Sequence, residues 1–158
     1  MNFLTEHGIG SYEELECKVD AVSARRDTTH TEIKRIESRS AELALVMKHA
    51  GTYRQLKPLY ERYRKSNDKE KFLRGHESEI ILFEAAAREL KRLGTVPLPT
   101  TESMKTELAN LNAEKERLLA EYKAARAEAQ EYETVKQNVD ALLTVAKEQE
   151  QQRQHELE

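Results

Sequence analysis

The chain of 158 residues has no tryptophan, a single cysteine, three prolines and five glycines. With Cys17 alone no disulfide framework can form, and one unpaired thiol fits the cytoplasm better than an oxidising compartment. Scarce glycine and proline argue against a strand-rich domain, which needs frequent turns. No run of about 18 apolar residues occurs, and "MNFLTEHGIG" lacks the basic and apolar regions of a secretory signal, so no membrane contact and a cytoplasmic location are expected. Neither a glycine-rich phosphate loop nor a nucleophile-elbow serine is present. Histidines 7, 30, 49, 76 and 155 are scattered, with no pair three or four apart and no cysteine partner, so no metal site is expected. The abundant carboxylates sit on solvated helices, where nothing separates their pKa values for acid and base work. No catalytic residue, cofactor or small-molecule substrate is therefore expected.

What is there is charge and helix-forming composition. Charged residues make up 35 % of the chain against 38 % hydrophobic, a poor ratio for a thick globular core. Ala, Glu, Lys, Leu and Arg dominate, the bias of long helices and coiled coils. The expected fold class is all-α: a long antiparallel coiled-coil hairpin capped by a small helical bundle. The expected pieces are a short helix and turn (1–10), a first long coiled-coil helix (11–50), a basic helical cap (51–93), a Pro/Gly linker (94–100), a second long coiled-coil helix (101–148) and a frayed polar tail (149–158).

Ser11 followed by Glu14 has the capping-box spacing, which predicts a helix start at Ser11. From there Tyr12, Leu15, Val19, Val22, Ile33, Ile36, Leu43 and Met47 recur at steps of three and four, with Arg26, Thr29 and Ser40 in the same seam. Gly51 is expected to break this helix. After the linker, Met104, Leu108, Leu111, Lys115, Leu118, Tyr122, Ala125, Ala129, Tyr132, Lys136, Val139, Leu143 and Ala146 alternate steps of four and three without a slip, for about six heptads. Helices of roughly 55 and 70 Å are too long to stand unpaired. The segment between them lets the chain turn back, with Met47 near Met104, Tyr12 near Val139, and Arg26 and Thr29 facing Tyr122, Ala125 and Ala129. Pairing between two chains, as a homodimer, is the other way to satisfy both seams.

The middle is where charge departs from the average. From Tyr53 to His76 the basic residues are Arg54, Lys57, Arg62, Arg64, Lys65, Lys69, Lys71 and Arg74, against Glu61, Asp68 and Glu70. This stretch thus carries +5, and the remainder −8, within a total of −3. These eight cations are the candidate phosphate-contacting residues. Two helices are expected here, one from about Pro58 to Lys65 and one from Asn67 or Asp68 to Leu93, kinked at Gly75. "IILF", Ile80 to Phe83, is apolar on more than one face and is expected to be the best-buried segment. Tyr53, Leu56, Tyr60 and Tyr63 fall on one stripe, which assigns the rings to packing. Arg62, Lys65 and Lys69 share another stripe, provided the helix is unbroken between them.

The segments "NFLTEHGIGSYEEL", "KHAGTYRQLKPLYERYRKSNDKEKFLRGHESEIILFEAAARELK", "LPT" and "YETVKQNVDALL", in this order over nearly the whole chain, resemble the C-terminal helical region of mobilisation relaxases from integrative conjugative elements of gut Firmicutes. Lys48 to Lys91 carries most of the specificity. The resemblance implies a part in conjugative DNA transfer, with single-stranded DNA and relaxosome or secretion-coupling proteins as partners. It also implies a nicking domain with a histidine cluster and a nucleophilic tyrosine, and neither is found in this sequence. None of the six tyrosines lies beside a histidine triad. The chain is therefore expected to be a non-catalytic accessory region, excised or separately encoded. The alternative is a purely structural coiled-coil module for oligomerisation or protein–protein interaction, without nucleic-acid contact.

Overall fold

Helix ends follow from local capping chemistry, and the caps divide the chain. The computed structural model describes residues 2–158. Among them are four helices and no strand: α1 (Phe3–Glu6), α2 (Tyr12–Lys65), α3 (Lys69–Arg92) and α4 (Thr101–Leu157). The all-α class is as expected. Asn2 caps α1 by accepting from the Leu4 amide at 3.2 Å. Gly8, at φ 66°, takes the left-handed conformation that turns the chain out of α1. Ser11 Oγ accepts from the Glu14 amide at 3.2 Å, as a capping box requires. The return bond differs, because Glu14 Oε2 takes the amide of Gly10 at 2.7 Å. Asp68 caps α3 through the Lys71 amide at 3.1 Å. Gly94, at φ 71°, ends α3 while the Thr95 amide reaches back to Leu90 O at 3.1 Å. Thr100 caps α4 through the Ser103 amide at 3.1 Å.

The expected break at Gly51 is absent. α2 continues through Gly51 and Pro58 to Lys65. A mid-helix glycine costs about 1 kcal/mol and a proline about 3 kcal/mol against alanine. Both costs are offset here by the packing of Tyr53, Tyr60 and Tyr63 on α3, described below. The expected tail at 149–158 also remains within α4, which is exposed throughout from residue 141.

The chain forms two compact units. One comprises residues up to Lys34 together with Glu116–Glu158. Its core joins Leu15, Val19 and Val22 of α2 to Ala129 and Tyr132 of α4, flanked by Phe3, Leu4, Ile9, Val135 and Val139. Tyr12 bonds Asp140, Ser23 bonds Glu133 and Arg25 bonds Glu128 at 2.5, 3.3 and 3.4 Å, so numbers rise on one helix as they fall on the other. The two segments are antiparallel, and Tyr12 lines one depression with Val139. Arg26 escapes the seam by reaching Glu133 at 3.4 Å. Thr29, 7 % exposed, satisfies its hydroxyl on Arg25 O at 2.8 Å within its own helix.

The second unit is Arg35–Lys115. Here Arg39 meets Glu107 at 2.7 Å and Glu37 meets Lys115 at 3.5 Å, again antiparallel. α3 supplies Ile80, Phe83, Ala86 and Leu90 to the core. Val46 and Ala50 of α2, outside the expected seam, are also buried, at 2 % and 1 % exposure. "IILF" is only half buried, a correction to the expectation. Ile80 and Phe83 point inward at helical spacing, while Ile81 and Leu82 are 53 % and 55 % exposed. α3 departs from helical geometry at His76, one residue after Gly75, where the kink was expected.

Candidate functional site

The tyrosine stripe builds the scaffold of the basic region. Tyr53 and Tyr60 lie seven residues apart, two turns or about 10.5 Å along α2. The Phe83 ring of α3 stacks on both, with centroids 4.9 and 4.4 Å away and planes within 26°. Tyr63 follows Tyr60 at 5.9 Å and meets Phe72 at 6.0 Å, and Phe72 meets His76 at 4.7 Å. Six rings thus form a ladder pinning the end of α2 to α3. Dispersion and quadrupole attraction between such rings add to the area that they bury.

On this scaffold all eight candidate cations are exposed, in different settings. Arg54 is engaged structurally: it donates to Thr101 Oγ1 at 2.6 Å and to Pro99 O, tying α2 to the start of α4. Lys57 Nζ sits 5.8 Å from the Tyr53 centroid, and the Arg62 guanidinium 5.8 Å from that of Phe72. Both are cation–π contacts. Arg62, Arg64 and Lys65 occupy the last turn of α2, where the helix dipole favours positive charge. Arg64 and Lys65 line a surface hollow of about 350 Å³ with Glu61.

Lys69 and Lys71 lie in the first turn of α3, and Arg74 Nε donates to Glu70 O at 3.4 Å. Cations there oppose the dipole of their own helix, so they do not serve its stability. The stripe expected to hold Arg62, Lys65 and Lys69 does not exist, because α2 ends at Lys65 and Ser66 to Asp68 form a turn. The six cations from Arg62 to Arg74 flank that turn instead, three at the end of α2 and three at the start of α3.

Among the described residues, none of Arg62, Arg64, Lys65, Lys69, Lys71 and Arg74 forms an ion pair, although Glu61, Asp68 and Glu70 are neighbours in sequence. Arg88 went unnoticed in the sequence because Glu84 four residues earlier reads as an ordinary surface pair. In the structure Arg88 Nε donates to the Glu84 backbone carbonyl at 3.5 Å and, with Lys57 and Arg64, lines the groove between α2 and α3.

No group of three or more His, Cys, Asp or Glu among the described residues is placed to hold a metal ion. No helix among them is long and apolar enough to cross a membrane. Neither a family model, nor a curated protein, nor a solved structure matches the chain.

Proposed function

We propose that the chain is a non-catalytic helical module in which α2 and α4 pair as an antiparallel coiled-coil hairpin and the basic α2–α3 turn contacts nucleic-acid phosphate. In the setting implied by the resemblance to relaxase C-terminal regions, the hairpin is a spacer, and the turn meets transferred single-stranded DNA or a relaxosome or secretion-coupling protein. The observation that carries this reading is the group of six exposed cations at the turn without an ion pair among the described residues. Phosphate binding releases counterions, so affinity falls with salt by about 0.7 log units per log unit of salt for each phosphate neutralised on a single strand.

The test is binding of a labelled single-stranded oligonucleotide at two salt concentrations. Neutralising about four phosphates weakens binding on the order of 50-fold over a fourfold rise in salt. Reversing charge at Arg62, Lys65 and Lys69 weakens it further at low salt. Wild-type chain that binds nothing even at low salt sinks the nucleic-acid half of the reading.

A second reading, a structural module that binds only protein or a second copy of itself, is favoured by α4 beyond residue 140. Leu142, Leu143 and Val145 are 70 %, 47 % and 49 % exposed there. Light scattering separates the two readings. A concentration-dependent dimer that ignores oligonucleotide supports the second, and a monomer that binds oligonucleotide supports the first.

A further inference from the structure

The groove between α2 and α3 differs from the turn in having an aromatic floor. It is an open hollow of about 610 Å³, within the size range of small-ligand sites. Tyr53, Tyr60 and Phe83 form its floor, and Lys57, Arg64 and Arg88 stand around it. Phe83 is 6 % exposed and spends both faces on the tyrosines. The tyrosines are half-buried, and each keeps part of its ring in the groove.

Glu61 and Glu84 line the same groove, yet among the described residues they form no ion pair with the three cations. A phosphate alone gains nothing from the carboxylates or the rings. A ligand that uses each kind of group has a flat π face for a tyrosine, amino donors for the carboxylates and phosphates for the cations. That is a nucleotide unit of a single strand, since in a duplex the base face is covered by its neighbours.

We propose that this groove holds an unpaired base of a single-stranded nucleic acid against the part of the Tyr60 ring that Phe83 leaves uncovered, with Arg64 and Arg88 on its flanking phosphates and Glu61 or Glu84 accepting from the base's amino group. The proposal rests on the reading of the basic turn as a phosphate contact and adds to it a site for the base. Stacking of this kind is tolerant of sequence, so the groove selects single strands over duplex more than one base over another.

The test compares two labelled probes of equal phosphate number on the intact wild-type chain at low salt: an oligodeoxycytidylate of about 12 nucleotides and an abasic strand of the same length. The abasic strand binds about tenfold more weakly, the loss expected for one stacked base. Tyr60→Leu, checked for retained helicity by circular dichroism, narrows that difference, and Arg88→Ala, on the exposed face of α3, weakens binding of both probes. Equal binding of the two probes overturns the base site. So does base-dependent binding that neither variant alters. In both cases loss of binding on charge reversal at the turn keeps the phosphate reading alive. If neither probe binds, both readings fall.

Discussion

The unit formed by residues up to Lys34 with Glu116–Glu158 and the unit Arg35–Lys115 solve the same problem with different chemistry. In the first, Leu15, Val19 and Val22 of α2 pack against Ala129 and Tyr132 of α4, with Ala129 fully buried. Small residues let the helices approach closely, and charged side chains at the edge cross to the other helix, as Arg25 does to Glu128 and Arg26 to Glu133. In the second unit α3 is held on α2 by rings, and among the described residues the cations beside those rings form no ion pair with the Glu61 and Glu84 carboxylates that line the same groove. The difference teaches where charge is structural. Exposed pairs such as Arg25–Glu128 contribute about 0 to 1 kcal/mol, yet they set register along the seam. The turn cations, by contrast, cross to no carboxylate among the described residues, and Arg62 instead rests on the Phe72 ring.

The largest expected effect breaks the ring ladder. Phe83→Ala removes a ring sandwiched between Tyr53 and Tyr60 and leaves a cavity, which costs about 3 to 5 kcal/mol. Urea unfolding measures the loss. Hydrogen exchange sharpens the comparison, since protection falls in α3 and in α2 beyond Ala50 while the amides around Val19 and Val22 keep theirs. Uniform loss of protection along α2 would mean that the ring ladder stabilises both units alike.

A smaller and opposite effect is expected at Gly51. It lies inside α2, is exposed, and an added Cβ there meets nothing within 4 Å. Gly51→Ala therefore stabilises by about 0.5 to 1 kcal/mol, chiefly by restricting the unfolded chain. The urea midpoint moves up with an unchanged slope. A loss of stability at this position would show that the helix through residue 51 is strained.

Much of this organisation was legible in the sequence. The seam positions of α4 from Met104 to Val139 are all buried or half-buried, but Leu143 and Ala146, expected to continue the seam, are exposed, because α2 begins at Tyr12 opposite Asp140. The caps at Asp68 and Thr100 were legible because short polar side chains satisfy free amides locally. Gly51 and Pro58 misled, since a local propensity cost was outweighed by rings that meet only in three dimensions. The same limit explains Ile81 and Leu82, whose apolar character says nothing of which face α3 turns inward. It also explains Arg88, more than twenty residues from Arg64 in the chain and beside it in the groove. The cluster of cations itself was plain from composition, but its break into a helix end, a turn and a helix start was not.

The smallest effect tests the first unit at the point where α2 begins. The Tyr12 hydroxyl donates to Asp140 Oδ1 at 2.5 Å, and Asp140 lies 3.7 Å from Lys136. That hydrogen bond, with burial and the negative charges of Asp140 and Glu16, raises the tyrosine from its ordinary 10.0 to about 12. The neutral form is the one favoured in the folded chain. Its contribution to stability is therefore fully present below pH 10 and is lost as pH rises through about 12. Tyr132 is also raised, by burial and then by Glu128 and Glu131, so the alkaline decline of the wild type alone does not isolate Tyr12. The difference in stability between wild type and Tyr12→Phe does. It holds steady at neutral and mildly alkaline pH and shrinks across that window, because the variant has no hydroxyl to ionise. A difference that stays constant through the window would show that the bond to Asp140 is not what joins the start of α2 to α4.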